Sequence, residues 1–124
     1  MSKDESVKIF RKEVRRKASL FINTYYAGQV FFGLLNLSGV DGNTATIIIA
    51  VNKWNETKVF TSKLNGTIPG STELSYKIES SGGINIYVNT NDYILIILKP
   101  ITPTVTASIS EVASVPSDAI NIVL

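Results

Sequence analysis

Tyr93-Ile94-Leu95-Ile96-Ile97-Leu98 is an unbroken apolar run in a chain whose other strand-like stretches alternate apolar with polar residues. A strand with one face in water alternates, whereas a strand covered on both faces need not. Ile47-Ile48-Ile49-Ala50-Val51 shows the same departure. At 124 residues the chain makes one domain, too small for helices of its own to cover both faces of a sheet. Both runs therefore point to a cover from outside the subunit, and another copy of the same chain is the simplest one. Taken as strands, the runs place Ile47, Ile49, Leu95 and Ile97 on one face. Ile48, Ile94, Ile96 and Leu98 fall on the other, and these four are the candidate oligomer interface.

Working outward, turn signals recur every eight to twelve residues between short strands. The expected strands are Leu20–Thr24, Val30–Leu37, Thr44–Asn52, Thr57–Leu64, Thr72–Glu79, Ile84–Asn89 and Tyr93–Leu98. Asp41-Gly42-Asn43 separates two of them. Asn65-Gly66 is the strongest two-residue hairpin signal, although Ile68-Pro69-Gly70-Ser71 delays the strand that follows. Leu74, Tyr76 and Ile78 alternate with Glu73, Ser75, Lys77 and Glu79; Ser81-Gly82-Gly83 and Thr90-Asn91-Asp92 read as further turns. This pattern predicts an all-β, antiparallel β-sandwich of jelly-roll type over residues 19–103. Residues 104–124 read as a Ser/Thr/Val-rich arm or further strands, whose alternating Ile120, Ile122 and Leu124 are expected to lie against the domain or a neighbour.

Residues 1–18 differ in kind. Val7, Phe10 and Val14 recur at helical spacing with Lys8, Arg11, Lys12, Arg15 and Arg16 around them, which predicts one short basic amphipathic helix. Ser2 and Ser6 can cap it, and Asp4 and Glu5 suit its positive end. A lone helix of about four turns is marginal, so Val7, Phe10, Arg11, Val14 and Arg15 are expected to dock it on the sheet or to trimerise it. Residues 1–17 carry seven Lys/Arg against three Asp/Glu, a net +4; the other 107 residues carry five against seven, a net −2. A basic arm can neutralise phosphate or sit on an anionic membrane. With no interleaved aromatics to stack bases, docking into an assembly is the preferred reading and nucleic acid is an unlikely partner.

Composition lowers the prior for catalysis. The chain has no histidine and no cysteine, which removes the commonest general base, thiolate metal sites and disulfides. Glu73, Glu79 and Asp92 are candidate carboxylates, but Glu73 and Glu79 fall on the outward side of an alternating strand. Asp41 and Asn43 offer too few oxygens for calcium, and Gly82-Gly83 lacks the Lys-Ser/Thr of a phosphate loop. No enzyme activity, cofactor or metal is expected. No stretch approaches the roughly 18 apolar residues of a membrane span, and the first residues lack the apolar centre of a secretory signal. The sequons at Asn36, Asn55 and Asn65 are then part of an Asn/Thr-rich β composition. Trp54, in the polar stretch Asn52-Lys53-Trp54-Asn55-Glu56, is either a plug at one end of the domain or, with Asn55, a sugar-stacking platform. Tyr25-Tyr26 is similar.

From Leu20 to Pro100 the order of features resembles the small β-sandwich knobs that end bacteriophage head and tail fibres. Ala45–Val51, Asn65-Gly66, Tyr76-Lys77-Ile78, Ser81-Gly82-Gly83, Ile86-Tyr87-Val88-Asn89 and Tyr93–Leu98 carry the resemblance. It implies a homotrimeric virion component, made in the host cytoplasm and placed in the particle beside other virion proteins, with a host-surface glycan as a possible ligand. The trimer would cover the second apolar face around its axis. With no long shaft before the domain, the expected role is a stub, tip or capsid-decoration subunit.

Overall fold

A computed structural model describes residues 8–23, 30–80, 82–102 and 106–124. Its elements are β1 (Phe10–Asn23), β2 (Val30–Gly39), β3 (Thr44–Asn52), β4 (Lys58–Gly66), β5 (Glu73–Ile78), β6 (Gly83–Pro100), β7 (Thr106–Glu111) and β8 (Ile120–Asn121). The domain is all-β and every pairing is antiparallel. All eight strands belong to one hydrogen-bonded sheet rather than to the separate sheets of a jelly roll.

Two long strands organise it. β6 pairs with β1 along nearly its whole length, from Ile22↔Ile84 to Phe10↔Leu98. On the far side of β6, its second half pairs with β2, followed by β3 and β4. Its first half pairs with β5, followed by β8. β7 pairs with the second half of β1. One half of the sheet therefore runs β4-β3-β2-β6-β1 and the other β8-β5-β6-β1-β7, with β1 and β6 common to both.

At about 3.3 Å per residue, an 18-residue strand would run about 60 Å if straight. A chain of this length has a radius of gyration of about 14 Å, so β6 must bend. The bend lies where Thr90, Asn91 and Asp92 stand against Arg16, between the Arg15↔Tyr93 and Lys17↔Asn89 pairs. Arg16 adopts a left-handed φ of 74° to accommodate it. The expected turn at Thr90–Asp92 is thus a bulge inside one continuous strand.

Inward side chains keep one parity through the sheet: Val14, Ala18, Leu20 and Ile22 on β1, Phe31, Leu35 and Leu37 on β2, Ile47, Ile49 and Val51 on β3, and Ile84, Ile86, Val88, Ile94, Ile96 and Leu98 on β6. All are at most 1 % exposed and form one cluster. With no helix among the described residues, only the other half of the same sheet can cover that face. The sheet folds over on itself about the bend.

Three expectations need correction. The predicted N-terminal helix is absent: Phe10, Arg11, Val14 and Arg15 lie on β1, and Val7 falls outside the described residues. Phe10, Val14, Ala18, Leu20 and Ile22 share the even parity of a strand, and the long ladder to β6 outweighs the weak propensity of an isolated helix. Asn65-Gly66 closes no hairpin, because β5 pairs with β6 and not with β4. Gly66 has a φ of +87°, and a Cβ there would collide with the Thr44 carbonyl oxygen, so the glycine serves the β3–β4 margin. Finally, Ile94, Ile96 and Leu98 point into the domain's own core and are no interface; of the four proposed residues only Ile48 faces outward.

Candidate interaction surfaces

The outward face of the β4-β3-β2-β6-β1 half is built from the opposite parity of the apolar runs. Cross-strand register aligns Phe60, Ala50 and Phe32 in one row and Ile48 with Leu34 in the next. Ile97 lies between Asn36 and Arg11, and Leu95 between Ser38 and Glu13. Phe60 is 65 % and Phe32 38 % exposed, while Leu34, Ile48, Leu95 and Ile97 are half-buried by one another. Ile101, whose amide donates to the Phe32 carbonyl at 2.7 Å, extends the patch beyond β2. Its polar end is ordered: Asn36 Nδ2 donates to the Ala45 carbonyl (3.2 Å) and Thr46 Oγ1 (3.2 Å), and Ser38 Oγ donates to Asn36 Oδ1 (3.0 Å). Both apolar runs have two faces, as expected, but the matching across them is reversed: Leu95 and Ile97 share the outward face with Ile48, and Ile94, Ile96 and Leu98 the inward one with Ile47 and Ile49. The signal for this surface in the sequence is the double parity of Val30–Leu37, where Phe32 and Leu34 oppose Phe31, Leu35 and Leu37.

The outward face of the other half is covered by the chain itself. From Glu111 at the end of β7 the backbone crosses to β8, which pairs with β5 on the opposite margin. Lys77 Nζ lies 3.3 Å from Asp118 Oδ2, and the Val112 amide donates to the Lys17 carbonyl at 3.1 Å, so residues 112–119 form a strap over the sheet. Beneath it Tyr87 faces away from the core yet is only 7 % exposed. Burial pushes the Tyr87 hydroxyl above the ordinary phenol pKa, and the hydrogen bond to Asp118 holds the Lys77 ammonium above its own. Beside the strap, Ser19 Oγ donates to Asn85 Oδ1 (2.8 Å), and Asn85 Nδ2 donates to Glu79 Oε2 (2.7 Å).

Trp54 lies in the β3–β4 connection and is 74 % exposed, so it plugs nothing. Its amide donates to Asn52 Oδ1 (2.9 Å), and the preceding Lys53 donates to the Gly82 carbonyl (2.5 Å), which ties down the entry to the loop. Asn55 beside it is exposed. Tyr25 and Tyr26 fall outside the described residues.

The candidate chemical groups are occupied in local structure and are not brought together. Asp41 accepts from the Asn43 amide (3.0 Å), Asn43 Nδ2 (3.0 Å) and the Gly70 amide (2.7 Å), which lowers its pKa and joins two loops. Asp92 accepts from the Tyr93 amide (2.7 Å), Glu79 is held by Asn85, and Glu73 stands at the start of β5. Among the described residues no group of three or more Asp or Glu could hold a metal ion. No helix among them is long and apolar enough to cross a membrane. No protein-family model matches the chain, and no curated protein matches it in sequence.

Proposed function

We propose that this chain is a non-enzymatic structural subunit that assembles with copies of itself, a homotrimeric fibre, tip or capsid-decoration component of a bacteriophage particle. The observation that carries the assembly is the asymmetry of the folded sheet. One outward face is covered by the chain's own strap; the other presents Phe32, Leu34, Ile48, Phe60, Leu95 and Ile97, with no strand packed over it among the described residues. Contiguous apolar surface of this kind marks an interaction site on a soluble protein. The in-plane route to assembly is obstructed. Each margin of this half carries a lysine on the inward parity, Lys12 on β1 and Lys63 on β4, and each has a bulge, at Arg16 and beside Thr46. A copy would therefore meet this half face to face, and closed symmetry around an axis would use one such face per subunit. The particle context rests on the resemblance of residues 20–100 to fibre knobs, with the two halves of the sheet serving as the layers of a sandwich.

Light scattering of the full chain is expected to give a trimer. Ile48→Lys is expected to give a monomer that keeps the β-sheet circular dichroism of the parent, because the substituted side chain lies outside the core. A folded monomer in the parent chain, or an undiminished trimer in Ile48→Lys and Leu34→Lys alike, would sink the assignment.

A further inference from the structure

We propose that the first half of β1 and the residues just before it form a binding ridge for single-stranded nucleic acid, held through its phosphate backbone. Lys8, Arg11, Lys12, Arg15, Arg16 and Lys17 lie on this stretch, half of the chain's twelve Lys and Arg. On a helix they would be distributed around a short cylinder. On an extended strand they are laid out along about 30 Å, at about 3.3 Å per residue. All but the half-buried Lys17 are exposed. The two ion pairs among the described residues, Lys58–Glu56 and Lys77–Asp118, use none of the six. Glu13 on the strand, Glu111, whose carboxylate accepts the Arg15 amide at 2.8 Å, and Asp92 in the stretch of β6 opposite Arg16 offset them only in part.

Protection of a sheet edge accounts for one inward lysine and a bulge, not for six cations. β4, the opposite margin of the same half, has its own inward lysine with just one other, Lys58, which is paired with Glu56. The surplus on β1 places like charges side by side at Arg15-Arg16-Lys17, an arrangement that a polyanion relieves. Two features select nucleic acid among polyanions. The bulge at Arg16 and the inward Lys12 break the flat ladder that an acidic peptide would need to add as a strand. In addition, the Arg15 guanidinium lies 5.7 Å from the ring centroid of Tyr93, itself 46 % exposed, so an aromatic ring and a guanidinium stand together where a base can stack.

The test is fluorescence anisotropy of a labelled, mixed-sequence single-stranded oligonucleotide, titrated with the full chain at several salt concentrations. Five phosphates neutralised give a slope of log K against log salt near −3.5, a loss of roughly a hundredfold between about 50 and 200 mM salt. The triple variant Arg11→Gln/Lys12→Gln/Arg15→Gln should flatten the slope by about 2, at a rate of about 0.7 per lost contact. Lys58→Gln/Lys63→Gln, on the other margin, should leave it unchanged. Thermal melts and light scattering on the same samples separate a binding loss from misfolding and from a changed oligomer. An unaltered slope in the triple variant overturns the proposal. So does equal loss in the β4 variant, or competition by poly-glutamate or anionic phosphatidylserine vesicles as effective as by unlabelled oligonucleotide.

Discussion

Arg16 is the only non-glycine among the described residues with a positive φ, and it lies where three residues of β6 oppose one of β1. A side chain in the left-handed region costs about 1–2 kcal/mol, while glycine there loses about 0.5–1 kcal/mol of unfolded-state freedom. Arg16→Gly should therefore leave stability unchanged or raise it by up to about 1 kcal/mol. Arg16→Val, with a β-branched side chain, should lower stability by at least about 1 kcal/mol. Urea melts of the two variants check this, and indistinguishable midpoints would show that the bend does not depend on this backbone conformation. The sequence gives little warning of such a position. Nothing in Arg15-Arg16-Lys17 signals a bulge, because the demand for it arises in Thr90-Asn91-Asp92, more than seventy residues away.

Along β6, neighbouring residues of the same type meet opposite environments. Ile96 is fully buried between β1 and β2, whereas Ile97 faces outward beside Asn36 and Arg11. Ile96→Ala should cost about 2–5 kcal/mol, and Ile97→Ala less than about 1 kcal/mol in the isolated subunit. If denaturant melts gave equal losses, the inward parity assigned to β6 would be wrong. Most strands are legible at this scale, since Leu74 and Tyr76 and Ile84 to Val88 carry period-two patterns, and Thr44 to Asn52 is a β-branched run bounded by turn residues, none of which needs a partner to be read. What local pattern could not supply was pairing. Phe10 and Val14 fit a helical stripe and a strand face equally well, and only the ladder to Ile94 and Leu98 decides between them. The same gap hid the candidate surface: the two faces of Tyr93–Leu98 were visible, but matching each to a face of Thr44–Asn52 requires the register through β2.

Across the whole molecule, the strap carries the chain from β7 to β8 over the β8-β5-β6-β1-β7 half of the sheet, and its fastening should weaken in alkali. Tyr87 and Lys77 both hold their protons more tightly in the folded protein. A raised folded pKa contributes stability that is fully present below the unfolded value and is lost as pH rises through the folded one. The contribution of these two groups should thus be level below about pH 10 and decline above it, with Asp118→Asn making the decline shallower by removing the partner of Lys77. Urea midpoints across this range test it; a decline that is the same with and without Asp118 would detach Lys77 from the effect.

The shared strands also set a timetable for synthesis. β1 leaves the ribosome first, but its partner for Phe10 is Leu98, 88 residues later by the difference of their numbers. At roughly 5–20 residues per second, the strand that organises both halves waits about 4–18 s for its ladder. During that interval β2, β3 and β4 can form their own meander, whereas β1 has no mate within the nascent chain. Like charges along β1 repel a second copy of the same strand, so the residues that crowd one margin of the finished sheet also disfavour edge-to-edge pairing of β1 while it is unmated.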